Sequence, residues 1–280
     1  MRLAAARFVA GETLDQAVPV LLRLNGQGLW TNTTLLGEHV VSREATELVV
    51  AAYEDVLARV AAEGLRTNVA LKLTHLGLDL DEELAFVNVE RLVRAAAQHG
   101  NFIRIDMEES RRVDATLSIH RRLRQAGHAN VGTVLQACLR RSEEDLRSVL
   151  DLEPNLRIVK GAYLEPPEIA YPRKRDVDAA YARLMEVALR EGGFTAIATH
   201  DERLIKHAIV LTEHERISRE RFQFQMLYGV RQELQRELVG KGYSVLVATP
   251  YGPDWYPYLM RRLAERPANL VFFLRSLVQR

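Results

Sequence analysis

The feature that most constrains the fold is an alternation of eight short apolar segments with segments of helical periodicity. The apolar segments are predicted strands at Thr33–Val40, Asn68–Leu73, Phe102–Met107, Val131–Ala137, Leu156–Gly161, Phe194–Thr199, Phe222–Leu227 and Tyr243–Ala248. Helical patterns are predicted within 11–29, as a short leading helix, and at about 42–62, 82–99, 110–126, 142–151, 176–191, 201–213 and 230–240. Strands that are nearly continuous in apolar residues are typical of parallel sheets covered on both faces. The sequence therefore predicts an α/β fold, a closed (β/α)8 barrel preceded by a short N-terminal helix.

An open doubly wound sheet is the alternative architecture for the same alternation. Such a sheet normally carries a G-x-G-x-x-G turn after its first strand, and none of the predicted strands is followed by that motif. The length of 280 residues, with 48% hydrophobic residues, suits one barrel. Because no linker-like segment interrupts the chain, we expect residues 1–280 to form a single domain.

The composition excludes several classes of function. Lys+Arg 38 against Asp+Glu 37 leaves a net charge of +1, which provides no overall field to attract nucleic acid. The single cysteine, Cys138, cannot form an internal disulfide, and we interpret it as a small buried hydrophobic residue in a reducing compartment. The eight histidines show no H-x-x-x-H or H-E-x-x-H spacing, so no metal site is predicted. No apolar run approaches the ~20 residues of a membrane span, and we expect a soluble, cytoplasmic protein.

Polar and charged side chains cluster at the C-terminal ends of the predicted strands, where parallel barrels carry their active sites. These residues are Lys72, Asp106, Met107, Gln136, Lys160, Thr199, His200 and Gln225, with Arg157 inside the fifth strand. Each has an ordinary structural explanation alone, such as helix capping by Asp106 or by Thr199-His200-Asp201. Together they predict a site, because buried charges are costly unless they are paired or used.

The stretch Gly242–Asn269 is the second unusual feature of the sequence. It is predicted to form a buried strand, a tight turn at Pro250-Tyr251-Gly252 and a short helix that carries Arg261 and Arg262. Neighbouring residues on a helix point about 100° apart. Two arginines that reach one target therefore imply a last barrel helix lying over the C-terminal mouth, where each guanidinium suits a carboxylate or phosphate. A solvated basic helix face is the alternative.

Several motifs resemble those of the proline dehydrogenase family, flavoenzymes that oxidise L-proline, and the resemblance extends from about Phe8 onward. The motifs are Leu71-Lys-Leu, Ile105-Asp-Met-Glu, Leu135-Gln-Ala, Leu156-Arg-Ile-Val-Lys-Gly-Ala-Tyr163, Ala198-Thr-His, Phe224-Gln-Met-Leu-Tyr-Gly229 and the C-terminal stretch. The resemblance implies oxidation of L-proline to 1-pyrroline-5-carboxylate by hydride transfer to FAD. It also implies that the electrons pass to a quinone, in the first step of proline catabolism.

The resemblance implies roles for individual residues as well. FAD is expected to be held by Met107, Gln136, Lys160, Gly161, Ala162, Thr199 and His200, with Arg157 at the N5 edge of the flavin. Substrate contacts are expected from Lys72, Asp106, Leu227, Tyr258, Arg261 and Arg262, with the arginine pair on the carboxylate of proline. Asp106 and Arg157 are the expected catalytic residues. One departure is Ala248, where the family usually has a tyrosine packed near the substrate ring.

Two other functions stay open on the sequence alone. A Schiff-base aldolase would use Lys72 or Lys160 at a strand end as its nucleophile. A non-catalytic ligand-binding barrel would fit Ala248 if the alanine marked a disabled site. A yellow purified protein excludes the aldolase, and turnover of proline with a dye acceptor excludes the non-catalytic barrel.

The C-terminal segment Asn269–Arg280 carries an apolar stripe of Leu270, Phe273, Leu274 and Leu277. Packing on its own barrel is the ordinary interpretation of such a stripe. If the stripe faces water, we expect it to mediate homo-oligomer formation or peripheral contact with the inner face of a membrane that holds quinone.

Overall fold

Eight parallel strands form a closed barrel in the computed structural model, which describes residues 8–256 and 260. The strands are β1 (Trp30–Leu35), β2 (Thr67–Lys72), β3 (Ile103–Asp106), β4 (Val131–Gln136), β5 (Asn155–Val159), β6 (Phe194–Ala198), β7 (Phe222–Leu227) and β8 (Val245–Tyr251). The described helices are α1 (Leu14–Gly26), α2 (Arg43–Ala62), α3 (Glu82–Gln98), α4 (Val113–Gln125), α5 (Ser142–Val149), α6 (Lys174–Glu191), α7 (Glu202–His214) and α8 (Gln232–Gly240). Each strand pairs with the next, and β8 closes on β1. The predicted barrel is confirmed.

Side-chain caps determine where several helices begin. Thr13 accepts a hydrogen bond from the backbone N–H of Gln16, and Ser42 accepts one from Ala45, as the sequence predicts. Asp201 caps α7 by accepting from the backbone N–H of Arg203. Each cap satisfies a donor that the first helical turn would otherwise leave unpaired.

Helix α1 lies beside β8 and β1, where a helix after β8 would otherwise pack. It contacts both strands, and its residues Ala17 and Leu21 belong to the same buried cluster as Tyr251 of β8. Asp15 of α1 forms an ion pair of 3.2 Å with Arg59 of α2. The outer ring is therefore complete without the chain that follows β8. The predicted helix over the mouth falls among residues that the structure does not describe.

Two predicted strand boundaries are wrong. The first strand is Trp30–Leu35 rather than Thr33–Val40, because Glu38 and His39 lie in a loop and form ion pairs with Lys72 and Asp79. The last strand continues to Tyr251 instead of turning at Pro250. Proline lacks only the backbone donor, and the carbonyl of Pro250 accepts a hydrogen bond of 2.8 Å from Ala10.

The outer faces of the strands are apolar, whereas the barrel interior is polar. Outward residues such as Leu71 and Phe224 pack beneath the helices in two hydrophobic clusters. The alternating inward positions carry polar residues that are buried or half-buried, namely Asn32, Asn68, Arg104, Asp106, Arg157, Gln223 and Gln225. Buried polar groups need hydrogen-bond partners, and here they find them in other inward side chains and in backbone carbonyls. One example is the 2.6 Å bond from Nδ2 of Asn32 to Oδ1 of Asn68.

The buried side chain of Arg104 spans from β3 to β5 across Gly132 of β4. Its Nη1 donates to the carbonyls of Thr133 and Asn155, at 2.7 Å each. A Cβ on Gly132 would overlap the carbonyl oxygen of Asn155 and lie 2.6 Å from Nη1 of Arg104. Because Gly132 is not among the residues with positive φ, space rather than backbone conformation requires the glycine.

We expect Gly132→Ala to lower the free energy of unfolding by about 1–3 kcal/mol, since an added methyl group in a filled interior forces its neighbours apart. Gly26→Ala is the matched control, because a Cβ there has no neighbour within 4 Å. Thermal unfolding of both variants measures the effect. Equal unfolding temperatures for the Gly132→Ala and Gly26→Ala variants would contradict the close approach of Arg104 to Gly132.

Candidate active site

A hydrogen-bonded chain crosses the barrel beneath its C-terminal mouth and connects three strands that are not neighbours. Nη1 of Arg157 (β5) donates to Oδ1 of Asp106 (β3) at 2.7 Å. Nε of Arg157 donates to Oε1 of Gln225 (β7), also at 2.7 Å. Side chains from strands that are not adjacent can meet only inside the barrel. The predicted pair Asp106 and Arg157 is thus brought together at the floor of the mouth.

Burial determines the electrostatics of this pair. Arg157 is 8% exposed, and its burial lowers the pKa of the guanidinium below its ordinary value, while the charge of Asp106 opposes that shift. Asp106 is half-buried and faces the mouth. A buried charge whose partner is removed destabilises a fold by about 3–5 kcal/mol. Asp106 therefore stabilises both the charge and the position of Arg157.

Lys72 ends β2 at the same mouth and pairs with Glu38 from the loop after β1. A hydrogen bond of the next residue, His39, fixes the position of that loop: its Nδ1 lies 2.9 Å from Oδ2 of Asp79. Arg112 donates to both carboxylate oxygens of Asp79, at 2.9 and 2.7 Å. These hydrogen bonds are the main reason that the pKa of Asp79 is lowered to about 2. Three loops at the mouth are thereby linked to one another.

Gln136, Gly161 and Ala162 lie at the ends of the neighbouring strands β4 and β5. Nε2 of the buried Gln136 donates to the carbonyl of Glu108 at 2.8 Å. Gly161 has φ 107°, and a Cβ there would overlap Sγ of Cys138. Both the backbone conformation and the space therefore require glycine at this position. Cys138 follows β4 and is partly buried against the hydrophobic core, in keeping with its interpretation as a small hydrophobic residue.

Lys160 is held by two carboxylates from the helices that flank the end of β5. Its Nζ lies 2.5 Å from Oδ1 of Asp178 and 3.2 Å from Oδ2 of Asp201. Burial alone would raise the pKa of Asp178, but hydrogen bonds from Lys160 and Lys174 lower it below its ordinary value. The opposing charges of Arg203 and Lys174 lie in the same cluster. The predicted cofactor residue Lys160 is thus an ion-paired ammonium.

Thr199 and His200 follow β6, and each accepts a hydrogen bond from a different backbone N–H group. Oγ1 of Thr199 accepts a hydrogen bond of 3.2 Å from the backbone N–H of Asp201. Nε2 of His200 accepts one of 2.9 Å from the backbone N–H of Leu227, at the end of β7. His200, an expected cofactor residue, is therefore bonded directly to Leu227, an expected substrate residue.

Of the two helix-capping explanations, the one for Asp106 is wrong, because its side chain bonds to Arg157. Capping within Thr199-His200-Asp201 is confirmed, since Asp201 accepts a hydrogen bond from the backbone N–H of Arg203 at the start of α7. Met107 is buried beside this region, at 7% exposure. Tyr258, Arg261 and Arg262 lie outside the described residues. Within the described part of the chain, no group of histidine, cysteine or acidic residues is placed to hold a metal ion.

Several residues of the site were not assigned from the sequence. Glu38, Asp178 and Asp201 were not recognised as partners of Lys72 and Lys160, because an acidic residue gives no local signal of which distant lysine it will pair with. Glu108 was also missed, although it is 1% exposed and accepts hydrogen bonds from the backbone and hydroxyl of Thr74. Its position two residues after Asp106 was the available signal.

No described helix is both long enough and apolar enough to cross a membrane.

Comparison with known proteins gives consistent matches. A family model described as Proline dehydrogenase matches residues 17–275. Proline dehydrogenase 1 of Bacillus subtilis subsp. natto is 43% identical over 279 residues, covering 100% of this chain and 92% of that protein. Proline dehydrogenase of Deinococcus radiodurans is 43% identical over 283 residues, covering 98% and 90%. The solved structure of proline utilization A (PutA) from Bdellovibrio bacteriovorus, inactivated by N-propargylglycine, has a TM-score of 0.86 at 24% identity. That match covers 93% of this chain and 32% of the other, and it shows a shared fold.

We expect His200 to be neutral, with its proton on Nδ1, because the backbone N–H of Leu227 can only donate and Nε2 must therefore accept. ¹⁵N NMR of histidine-labelled protein at neutral pH distinguishes the two ring nitrogens. The exposed His214 is the internal control for an unconstrained ring. A protonated Nε2 at His200 would contradict the bond to Leu227.

Proposed function

Because the chain belongs to the proline dehydrogenase family, we propose that it oxidises L-proline to 1-pyrroline-5-carboxylate with FAD as its cofactor. This reaction is the first step of proline catabolism. The observation that carries the proposal is the buried Asp106–Arg157 pair at the mouth, between the expected substrate residues and the expected cofactor residues. The expected FAD residues lie mainly after β4, β5 and β6, while the described substrate residues end β2, β3 and β7.

The residues after β4, β5 and β6 fit FAD. Gly161 has no side chain and its φ of 107° turns the backbone after β5, so the turn packs closely against Cys138 and carries only small residues, Gly161 and Ala162, toward the proposed cofactor. The basic groups Lys160, Lys174 and Arg203 surround the carboxylates of Asp178 and Asp201 with a net positive charge, which suits a diphosphate. Gln136, Ala162, Thr199, His200 and Met107 complete the proposed binding set. When bound, FAD supplies the acceptor for the hydride removed from the substrate.

The chain's own residues bind and orient the substrate and stabilise developing charge. Arg157 places a buried positive charge where negative charge develops during hydride transfer, and Asp106 keeps that charge in place. Lys72 and Leu227 line the substrate side of the mouth. Tyr258, Arg261 and Arg262, outside the described residues, are proposed from the family motif to pack the ring and bind the carboxylate. Hydride transfer requires reacting atoms about 3–3.5 Å apart, and orienting the substrate to meet that requirement would be the task of these residues.

The ion pairs argue against a Schiff-base aldolase. Lys72 is bonded to Glu38, and Lys160 is bonded to Asp178 and Asp201. A nucleophilic lysine must be a neutral amine, whereas an ammonium held by carboxylates has no free lone pair. No observation in the described part of the chain favours the aldolase.

A quinone is the proposed electron acceptor, and the family motifs support it. We place the protein in the cytoplasm, with contact at the inner membrane face or self-association as the proposed roles of the apolar segment Asn269–Arg280. That segment lies outside the described residues. Liposome binding and oligomeric state, compared before and after truncation at Asn269, distinguish these roles from packing on the barrel.

The proposed function is tested by the flavin spectrum of the purified protein. We expect a yellow protein whose flavin absorbance is bleached by L-proline under anaerobic conditions, with 1-pyrroline-5-carboxylate as the product. D-proline is the control for non-specific reduction. A colourless protein that forms a borohydride-trapped adduct at Lys72 or Lys160 would instead establish the aldolase. Bound flavin without any reduction by proline would support the non-catalytic barrel.

We expect Ala248→Tyr to raise kcat/KM with proline and its preference for proline over 4-hydroxyproline. Ala248 is half-buried and is in register with Leu227 of β7, so a larger side chain would reach the substrate side of the mouth. Ring packing contributes about 0.5–1.5 kcal/mol, equivalent to roughly 2- to 12-fold in kcat/KM. Ala248→Ser is the control, because it leaves the space open. A tyrosine variant that is slower and no more selective would place position 248 away from the substrate.

A further inference from the structure

We propose that Gln225 is a positioning residue for Arg157, and that Gln223 and Ser244 act by fixing the orientation of the Gln225 amide. The inference rests on the proposed function, since it concerns the residue that stabilises charge in that reaction. Gln225 is 5% exposed and Gln223 is 8% exposed, so both amides are removed from water.

The direction of each hydrogen bond follows from the first one. Nε of Arg157 can only donate, so the atom of Gln225 that lies 2.7 Å away must be its oxygen. The nitrogen of Gln225 then donates to Oε1 of Gln223 at 3.1 Å. The nitrogen of Gln223 donates in turn to Oγ of Ser244 at 2.8 Å. Every bond in this amide relay, Arg157–Gln225–Gln223–Ser244, donates away from the arginine.

A reversed Gln225 amide would be disfavoured at both of its ends. Its NH₂ group would face the N–H of Arg157, and its oxygen would face the oxygen of Gln223. Neither group can recruit water easily, because both lie inside the barrel. Arg157 therefore sets the direction of the relay, and Gln223 stabilises the Gln225 amide in that orientation without contacting the arginine itself.

Two anchors define the plane of the guanidinium. Asp106 holds Nη1 from β3 and Gln225 holds Nε from β7. The guanidinium is rigid and planar, so these two bonds also determine where Nη2 points. Nη2 makes no hydrogen bond to the described part of the chain. The relay thus determines the direction of the N–H groups of Arg157 that are not used by Asp106 or Gln225.

A neutral amide suits this second anchor better than a carboxylate. Asp106 already balances the charge of Arg157. A second carboxylate on Nε would place excess negative charge next to the group that stabilises a developing negative charge. An amide oxygen positions the guanidinium and leaves its positive potential available at the mouth.

The test measures the limiting rate of flavin reduction by proline in stopped-flow experiments, together with proline affinity, flavin content and unfolding temperature. We expect Gln225→Met to lower the limiting rate by roughly 10- to 100-fold, with little change in proline affinity. Gln223→Met should lower it by roughly 3- to 10-fold. Gln223→Asn keeps a neutral amide oxygen for the NH₂ group of Gln225 and should restore the rate to within roughly 2-fold of the unmodified protein. The comparison of the two Gln223 variants tests the role of the relay even if Gln225→Met does not fold.

The double variant Gln223→Met/Gln225→Met should be no slower than Gln225→Met alone, because Gln223 acts only through Gln225. Thr133→Val is the control: it removes a buried hydroxyl that bonds to the carbonyl of Ile105 on the outer face of the sheet, and its rate should be unchanged. Additive losses in the double variant would overturn the proposal. So would equal rates for Gln223→Met and Gln223→Asn.

A cofactor-independent readout separates this proposal from the proposed function. Solvent exchange of the Arg157 Nε–H, followed by NMR in protein without flavin, should be slow in the unmodified protein. It should be faster in Gln225→Met and Gln223→Met. If proline does not reduce the flavin but exchange still follows this order, the relay stands and the proposed function fails. Unchanged exchange in both variants overturns the relay.

Discussion

The ion pair between Asp106 and Arg157 is the interaction on which the rest of the site depends. It places a half-buried carboxylate against an arginine that is removed from water, where the guanidinium would be costly without a partner. The pair joins β3 to β5, and Gln225 extends the contact to β7. Three strands that never pair in the sheet are therefore held in one geometry at the floor of the mouth. The guanidinium of Arg157 is thereby held in one orientation at that floor.

The polar side chains inside the barrel leave room only for small inward residues on the strands between them. A parallel barrel is usually filled by branched apolar side chains, but here long polar side chains from β3, β5 and β7 occupy the centre. The strands between them supply small inward residues, with Gly132 in β4 and Ala196 in β6 beside the arginines. The apolar residues of the same strands face outward beneath the helices, so the hydrophobic core surrounds the barrel. The outward faces of the strands thus stabilise the fold, and the inward faces carry the polar residues of the candidate site.

The residues at the mouth are held in place by partners from other parts of the chain. Lys72 and Lys160 both come from strand ends, yet each is held by carboxylates that belong to other parts of the chain. His200 joins the proposed cofactor side to Leu227 on the proposed substrate side through a backbone hydrogen bond. The two proposed halves of the site are therefore in direct contact.

The sequence by itself determined the architecture and the position of the site. Alternating apolar and helical segments are local properties that depend on residues a few positions apart, and eight such units leave few folds besides a barrel. The same pattern located Lys72, Asp106 and Lys160 at strand ends. It misplaced the first strand, because the polar loop around Glu38 is recognisable only through its partner Lys72. The partners of Arg157 lie 51 and 68 residues away in the chain. Only the closure of the barrel brings them together, so the tertiary structure alone decided how the charges are paired and where the guanidinium points.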